Sequence, residues 1–311
     1  MTCASACLLA AATVATWNGK WFPSGRAEHR ASPEVEAAAV REAGAMIRRG
    51  LDAADPQGTN DVILCLNEIR GPRAAKALCE AVGRTNLQVA VVTAYRRRDR
   101  FDMQQDAIAT TLPVASASWS RWKNEKALTP PRGYAMARLL LSPSVTAAVY
   151  AVHLKSNYGQ KTDAEADANR SKRSLAIMQI LELERSARGA AARPTIVAGD
   201  FNADRWPKSG APEALFGALD EAGFANPLEE VPAEARVTYP GRGKWRNQTL
   251  DYVMCRGMRT LRAPFTVSAA SLSDHDALFV VLDADEAPPP PQERAKRKRR
   301  KKPRPGEAGG E

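Results

Sequence analysis

Three histidines occur in the 311-residue chain, His29, His153 and His275, and two of them stand in short polar patches that follow apolar runs. One patch is H-L-K-S-N, from His153 to Asn157, and the other is S-D-H-D, from Ser273 to Asp276. Between them, T-I-V-A-G-D-F-N-A places Asp200 and Asn202 just beyond another apolar stretch. Two further runs end in W-N-G, with Asn18, and in N-E-I-R, with Glu68. Acids, amides and imidazoles delivered in ones and twos from the ends of strand-like segments are the usual makings of a metal-dependent hydrolytic site, because rigid strands hold ligands that loops expose.

Each patch suits a particular chemistry. Glu68 follows an apolar run directly, and a lone carboxylate there fits a hard divalent cation such as Mg²⁺, which prefers carboxylate oxygen. His153 and Lys155 share a strand parity, and Asn157 joins them if the chain stays extended. One face then offers imidazole, ammonium and amide to the oxygens of a phosphate. Asp200 and Asn202 share a face while Phe201 turns the other way, and such a pair can take a proton from water and hold that water in line with phosphorus. An Asp hydrogen-bonded to a His fixes its tautomer and supports its positive charge. Asp251, in L-D-Y, and Asp274, in S-D-H, are both candidate partners for His275, and spacing does not choose between them.

These groups need strands behind them, and the sequence alternates accordingly. Apolar runs predict strands over Leu8–Trp17, Val62–Leu66, Leu87–Ala94, Ala107–Thr111, Ala135–Leu141, Val145–Leu154, Thr195–Ala198, Leu250–Cys255 and Ala277–Leu282. Helices are predicted over Pro33–Leu51 (Ser32 as N-cap), Pro72–Val82 (stopped by Gly83), Ala164–Arg188 and Glu213–Ala222. Interleaved helices and strands indicate a layered α/β body. Hairpin-like pairs between residues 87 and 154 make the sheets mixed.

Composition narrows the classes. The chain is 44% hydrophobic and 26% charged, as soluble globular proteins are, and no stretch approaches the roughly 20 apolar residues of a membrane span. The five cysteines (Cys3, Cys7, Cys65, Cys79 and Cys255) show neither a C-x-x-C pair nor a metal-finger pattern, which favours a reducing compartment, the cytoplasm. The first sixteen residues are small and apolar with an A-x-A-like site, but no Lys or Arg precedes Lys20. Cleavage near Ala15 would also remove the strand that delivers Asn18, so a secretory leader is disfavoured. Net charge is +10, and residues 287–311 hold +6 of it, nine Lys/Arg against three Glu. That Pro-rich and basic stretch lacks the apolar residues that would offset ordering entropy, and disorder is expected there.

The ordered set N…E…HLKSN…GDFN…LDY…SDH resembles the endonuclease/exonuclease/phosphatase superfamily over roughly residues 8–282. Its members include pancreatic-type deoxyribonucleases, apurinic endonucleases, inositol polyphosphate phosphatases and neutral sphingomyelinases. The resemblance implies a four-layered α/β sandwich, two mixed sheets face to face with helices outside, in a catalytic domain over residues 1–285 followed by a tail over 286–311. It implies that Asn18 and Glu68 belong to the metal site, Glu68 as direct ligand, with Asp274 nearby. Asp200 and Asn202 correspond to the pair that activates and orients the attacking water, and Asp251 to the acid that pairs with His275. His153 corresponds to a phosphate or leaving-group contact. Proton acceptance by Asp200 or by His275 stays open.

The expected function is Mg²⁺-dependent phosphoester hydrolysis, with Mn²⁺ as the alternate ion. A nuclease is the first choice, because Arg294 to Lys302 hold eight Lys/Arg in nine positions, and such a run neutralises phosphates without sequence preference. Lys155 and Asn157 are the candidate phosphate contacts. The alternatives are a lipid or small-molecule phosphoesterase, and a non-catalytic nucleic-acid-binding protein. Nucleic acid is the expected partner, and stable membrane insertion is not expected.

Overall fold

Uninterrupted apolar runs form the strands, and segments with clear starts form the helices, of this computed structural model, which describes residues 11–25, 31–97, 100–101, 104–125, 127–187, 193–241, 246–269 and 271–284. In chain order these are β1 (Ala12–Phe22), α1 (Pro33–Ala54), β2 (Asp61–Ile69), α2 (Pro72–Val82), β3 (Gln88–Val92), β4 (Arg96–Arg97) and β5 (Arg100–Phe101). Then come β6 (Gln105–Thr110), β7 (Val114–Arg121), β8 (Gly133–Leu140), β9 (Thr146–His153), α3 (Asp163–Ser186) and β10 (Thr195–Asp200). The last are α4 (Ala214–Glu221), β11 (Asp251–Arg256), β12 (Met258–Val267) and β13 (Ala277–Ala284).

The helix starts have local causes. Ser32 accepts the Val35 N–H at the head of α1, with Pro33 in the first turn. Thr162 and Glu165 form a reciprocal capping box on α3, and α2 ends on left-handed Gly83, a conformation that costs glycine nothing.

The strands build a six-stranded sheet, ordered β12-β13-β1-β2-β6-β3, and a five-stranded sheet, ordered β11-β10-β9-β8-β7; β4 and β5 form a separate small hairpin. The pairs β1·β2 and β9·β10 are parallel and the other pairings antiparallel, so both sheets are mixed. Val14, Ile63, Cys65 and Ile108 from the first sheet share one buried cluster with Ala135, Ala137, Ala151 and Ala198 from the second. On the outer face of the six-stranded sheet, α1 and α2 cover Leu64, Leu66 and Phe279. Ile177 and Ile180 of α3 and Leu215 of α4 pack on the five-stranded sheet. The expected four layers are thus present.

The predicted strand over Leu8–Trp17 begins at Ala12 among the described residues and runs on to Phe22; residues 8–10, Cys3, Cys7 and the tail from 286 lie outside them. Among the described residues, no helix is long and apolar enough to cross a membrane. Besides the two-residue β4 and β5, two described strands went unpredicted, β7 and β12, and both are sheet edges. V-A-S-A-S-W-S-R is almost wholly exposed, and M-R-T-L-R-A-P-F-T-V contains a proline and two register shifts. These two edges bury little, so they carry no apolar run to read.

Candidate active site

Register places three of the sequence candidates abreast. Asp251 of β11 pairs with Asp200 of β10, and Asp200 pairs with His153 of β9. Side chains at paired positions share a face, so these three project from one end of the five-stranded sheet toward the other sheet. Gly199 makes the approach of β10 to β9 feasible: its φ is +141°, and a Cβ there would lie 1.9 Å from the Val152 carbonyl oxygen.

The opposing sheet supplies Asn18 and Asn67, paired across β1 and β2, and then Glu68. Strict alternation would turn Glu68 away from the face of Asn67. A positive φ of 54° at Glu68, beside register shifts in the pairings of β2 with both β1 and β6, brings it to the same site. A left-handed non-glycine residue costs roughly 1–2 kcal/mol, and such strain clusters at functional positions.

The side chains converge. Asn18 Nδ2 donates to Asp200 Oδ2 at 2.9 Å and lies 3.5 Å from Glu68 Oε1, while Asn18 Oδ1 accepts the Lys20 N–H. Asn202, left-handed at φ 52°, donates its backbone N–H to Asp200 Oδ1 at 2.8 Å and its amide to Oδ2 at 3.0 Å. His153 Nε2 lies 3.5 Å from Asp200 Oδ2 and 3.7 Å from Glu68 Oε1. His275 Nδ1 meets Asp251 Oδ2 at 2.8 Å, and its Nε2 lies 3.9 Å from Asp200 Oδ2. The structure therefore chooses Asp251 over Asp274 as the histidine's partner; the Asp274 carboxylate pairs with Lys20 at 3.0 Å.

His275 belongs to the loop before β13, and that loop is pinned. Ser273 Oγ donates to the Asn18 carbonyl and accepts the His275 N–H, while Trp17 Nε1 donates to the His275 carbonyl. Tyr239 sets its ring edge-on to the imidazole, centroids 5.1 Å apart.

Burial works against a charged His275, but the Asp251 and Asp200 carboxylates beside it win and hold its pKa well above the ordinary histidine range. His153 goes the other way. Burial, with the Arg132, His275 and Lys155 charges around it, keeps its pKa well below that range, so its contacts with the two acids are those of a neutral ring. Burial raises Glu68, against the relief given by Arg132, Gln104, His275 and Asn18. Burial also raises Asp200, with Asp251 adding to it and His275 opposing.

Glu68 Oε2, His153 Nδ1 and Asp251 Oδ1 are buried with no hydrogen-bond partner among the described residues. Asp200, Asp251 and His275 each offer a ligand atom within 4.8 Å of the others, a group able to chelate a divalent ion.

The strand face expected from His153 to Asn157 stops at His153, where β9 ends. Lys155 Nζ donates to the Ser156 carbonyl instead. Asn157 Oδ1 accepts from Arg173 at 2.9 Å, and its amide reaches the Asn202 carbonyl at 3.5 Å. Arg173 is buried on α3 and pairs with Glu213. Breaking one partner of a buried ion pair strands the other, so Arg173→Ala is expected to lower unfolding free energy by about 3 kcal/mol in a urea titration.

Sequence reasoning missed three supporting residues. Asn67 accepts the Asp200 N–H at 3.0 Å and donates to Asp106 Oδ1 at 2.8 Å. Asp106 also accepts from Tyr95 at 3.2 Å, and burial, against those hydrogen bonds and the Arg132 charge, raises its pKa to about 7. Arg132 donates to the His153 carbonyl at 3.1 Å and the Leu154 carbonyl at 2.7 Å. Parity could have found Asn67, a polar residue two positions after inward Cys65. Asp106 and Arg132 carry no such local signal.

Solved structures share this architecture. An endonuclease/exonuclease/phosphatase from Beutenbergia cavernae aligns with TM-score 0.59 and 16% identity over 89% of this chain and 72% of its own. Sphingomyelinase C from Streptomyces griseocarneus gives 0.56 and 17% over 87% and 99%. TDP2 of D. rerio, solved with a single-strand DNA product, gives 0.56 and 13% over 88% and 99%. At such identities the likeness is one of fold. No curated protein matches the chain at a significant level. A family model described as Endonuclease/Exonuclease/phosphatase family matches residues 15–275, which takes in nearly every strand and all the converging side chains. The chain therefore belongs to the endonuclease/exonuclease/phosphatase family, and its buried group of two acids and an imidazole supports metal-dependent phosphoesterase chemistry at that family level.

Proposed function

We propose that this protein is a divalent-metal-dependent nuclease, cleaving nucleic-acid phosphodiesters by in-line attack of a water activated at Asp200. One observation carries the reading: a row of Asp251, Asp200 and His153 on one sheet meets Glu68 and Asn18 from the other. The donors are hard oxygens, and the unpartnered Glu68 Oε2 fits a cation. Glu68 would hold that ion, braced by Asn18, with Asp274 on the adjoining loop. Glu68 is preferred over the cluster around His275, because Asp251 and His275 already satisfy each other at 2.8 Å. A Mg²⁺ or Mn²⁺ ion bound there supplies Lewis-acid neutralisation of a phosphoryl oxygen.

The chain's own residues do the rest. Asp200 accepts the water's proton, since burial makes it a stronger base than an ordinary carboxylate. His275, held protonated by the flanking acids, is unsuited to that task and donates from Nε2 to a phosphoryl oxygen. Asn202 orients the water beside Asp200. Neutral His153 donates a hydrogen bond without adding charge. On the loop after β9, Lys155 would reach a phosphate only by leaving the Ser156 carbonyl, and Asn157, engaged by Arg173, would shape that loop beside it. The basic run from Arg294 to Lys302 favours a polyanionic substrate. Cys65, Cys79 and Cys255 are buried thiols without a disulfide among the described residues, in keeping with a cytoplasmic enzyme.

The test is a panel of duplex DNA, single-stranded DNA, RNA and a small phosphodiester, each with Mg²⁺, Mn²⁺ or chelator. Metal-dependent cleavage of a polynucleotide supports the nuclease; turnover confined to a lipid headgroup or soluble ester overturns it. A variant ending at Asp285 is expected to keep its turnover on the small diester, with weaker binding and a shallower salt dependence on long polynucleotides, measured at several salt concentrations. An unchanged salt slope would remove the tail from nucleic-acid binding.

A further inference from the structure

The row of register that aligns Asp251, Asp200 and His153 continues across the rest of the sheet. Tyr134 of β8 pairs with Val152, which sets Gly133 level with His153, and Gly133 pairs with Arg121 of β7. Arg121 is thus level with the site and two strands away, about 10 Å at the usual ~4.8 Å strand spacing. Trp119 pairs with Ala135, and Ala135 with Ala151, so by parity Trp119 and Arg121 lie on the same face as His153.

At this sheet edge the two side chains leave the sandwich. Trp119 is 39% exposed, although an indole is ordinarily among the more buried side chains. It is also held in place: its ring meets Tyr95 edge-on, centroids 5.7 Å apart. The Arg121 guanidinium lies over the same Tyr95 ring at 5.8 Å and donates to the Arg96 carbonyl. Tyr95 in turn is buried and anchored to Asp106. Arg96, Arg121 and Lys123 are all exposed here.

We propose that Trp119 and Arg121 form a platform for single-stranded nucleic acid, Trp119 stacking on a base and Arg121 holding a phosphate of the strand whose scissile bond lies at Asp200. The proposal rests on the nuclease reading above. A rigid exposed aromatic beside arginines is the arrangement that binds single strands without sequence preference. Asp200 lies one strand beyond His153, so the platform is three strand spacings, about 14 Å, from the cleaved bond, or about four nucleotides at ~3.4 Å of rise each. Its contribution should therefore appear only in substrates long enough to reach it.

The experiment compares wild type, Trp119→Ala, Trp119→Phe and Arg121→Gln on a small phosphodiester, a dinucleotide, and single strands of four to twelve nucleotides. Trp119→Ala is expected to weaken binding to the longer strands on the order of tenfold, raising KM with kcat unchanged and leaving the two short substrates unaffected. Trp119→Phe should retain most of the affinity, and Arg121→Gln should reduce the salt slope by about one phosphate contact. Equal effects of Trp119→Ala at all lengths, or none at any, would overturn the platform while leaving the nuclease standing. Absence of polynucleotide binding in the wild type would overturn both.

Discussion

Asp200→Asn is expected to lower kcat at least about a hundredfold, some 2.7 kcal/mol of barrier. The substitution keeps the size of the side chain and removes its basicity. Its new NH2 faces either the two amides that donate to Asp200 Oδ2, from Asn18 and Asn202, or the Asn202 N–H that donates to Oδ1, so at least one polar contact becomes donor against donor. His275→Ala should cost a comparable factor by removing the cation that faces the phosphoryl oxygens. That change also leaves the fully buried Asp251 carboxylate without its 2.8 Å partner. His275→Gln, whose amide can still donate to Asp251, separates lost chemistry from lost stability. The measurements are kcat on a small diester, circular dichroism and a denaturation midpoint. Wild-type turnover in a correctly folded Asp200→Asn protein would exclude Asp200 as the base.

Glu68→Gln is expected to remove most of the activity and, in the absence of metal, to leave the fold at least as stable. Burial raises the Glu68 pKa, so its folded value lies above its unfolded one, and the ionised group destabilises the native state as pH rises beyond the unfolded value. At neutral pH the wild-type carboxylate therefore opposes folding until a cation joins it, and the neutral amide does not. Added Mg²⁺ should raise the melting temperature of the wild type and not of Glu68→Gln. Full activity in excess chelator would refute the metal mechanism, and an equal Mg²⁺ shift in both proteins would move the seat away from Glu68.

The buried strands and all four helices were legible because each satisfies a rule of its own: an unbroken apolar run for β2 and β10, a proline-led start for α1 and α2. The site residues at strand ends were legible for the same reason, since a polar group just beyond such a run has a fixed address. Four things were not. Edge strands β7 and β12 bury too little to be patterned. The partner of His275 depended on register between distant strands, which Asp251 and Asp274 could not reveal by spacing. Lys155 and Asn157 were placed by assuming that β9 continued past His153, whereas Arg173, through the Lys155 carbonyl and the Asn157 side chain, draws the chain into a loop. The support that reaches Asp200 through Asn67 from Asp106 ends on a residue with no local pattern to announce it.

Neither sheet holds the site alone. Asn18 and Glu68 come from one, while His153, Asp200 and Asp251 come from the other. The distance between the proposed proton acceptor and the proposed metal seat is therefore set by what separates the sheets. On the five-stranded side that spacer includes Ala135, Ala137, Ala151 and Ala198, side chains too small to be exchanged for larger ones without wedging the layers apart. A displacement near 1 Å is enough to cost catalysis on the order of a hundredfold. Buried alanines that never meet a substrate are accordingly the gauge blocks of this enzyme, and selection for turnover reaches through them into the core.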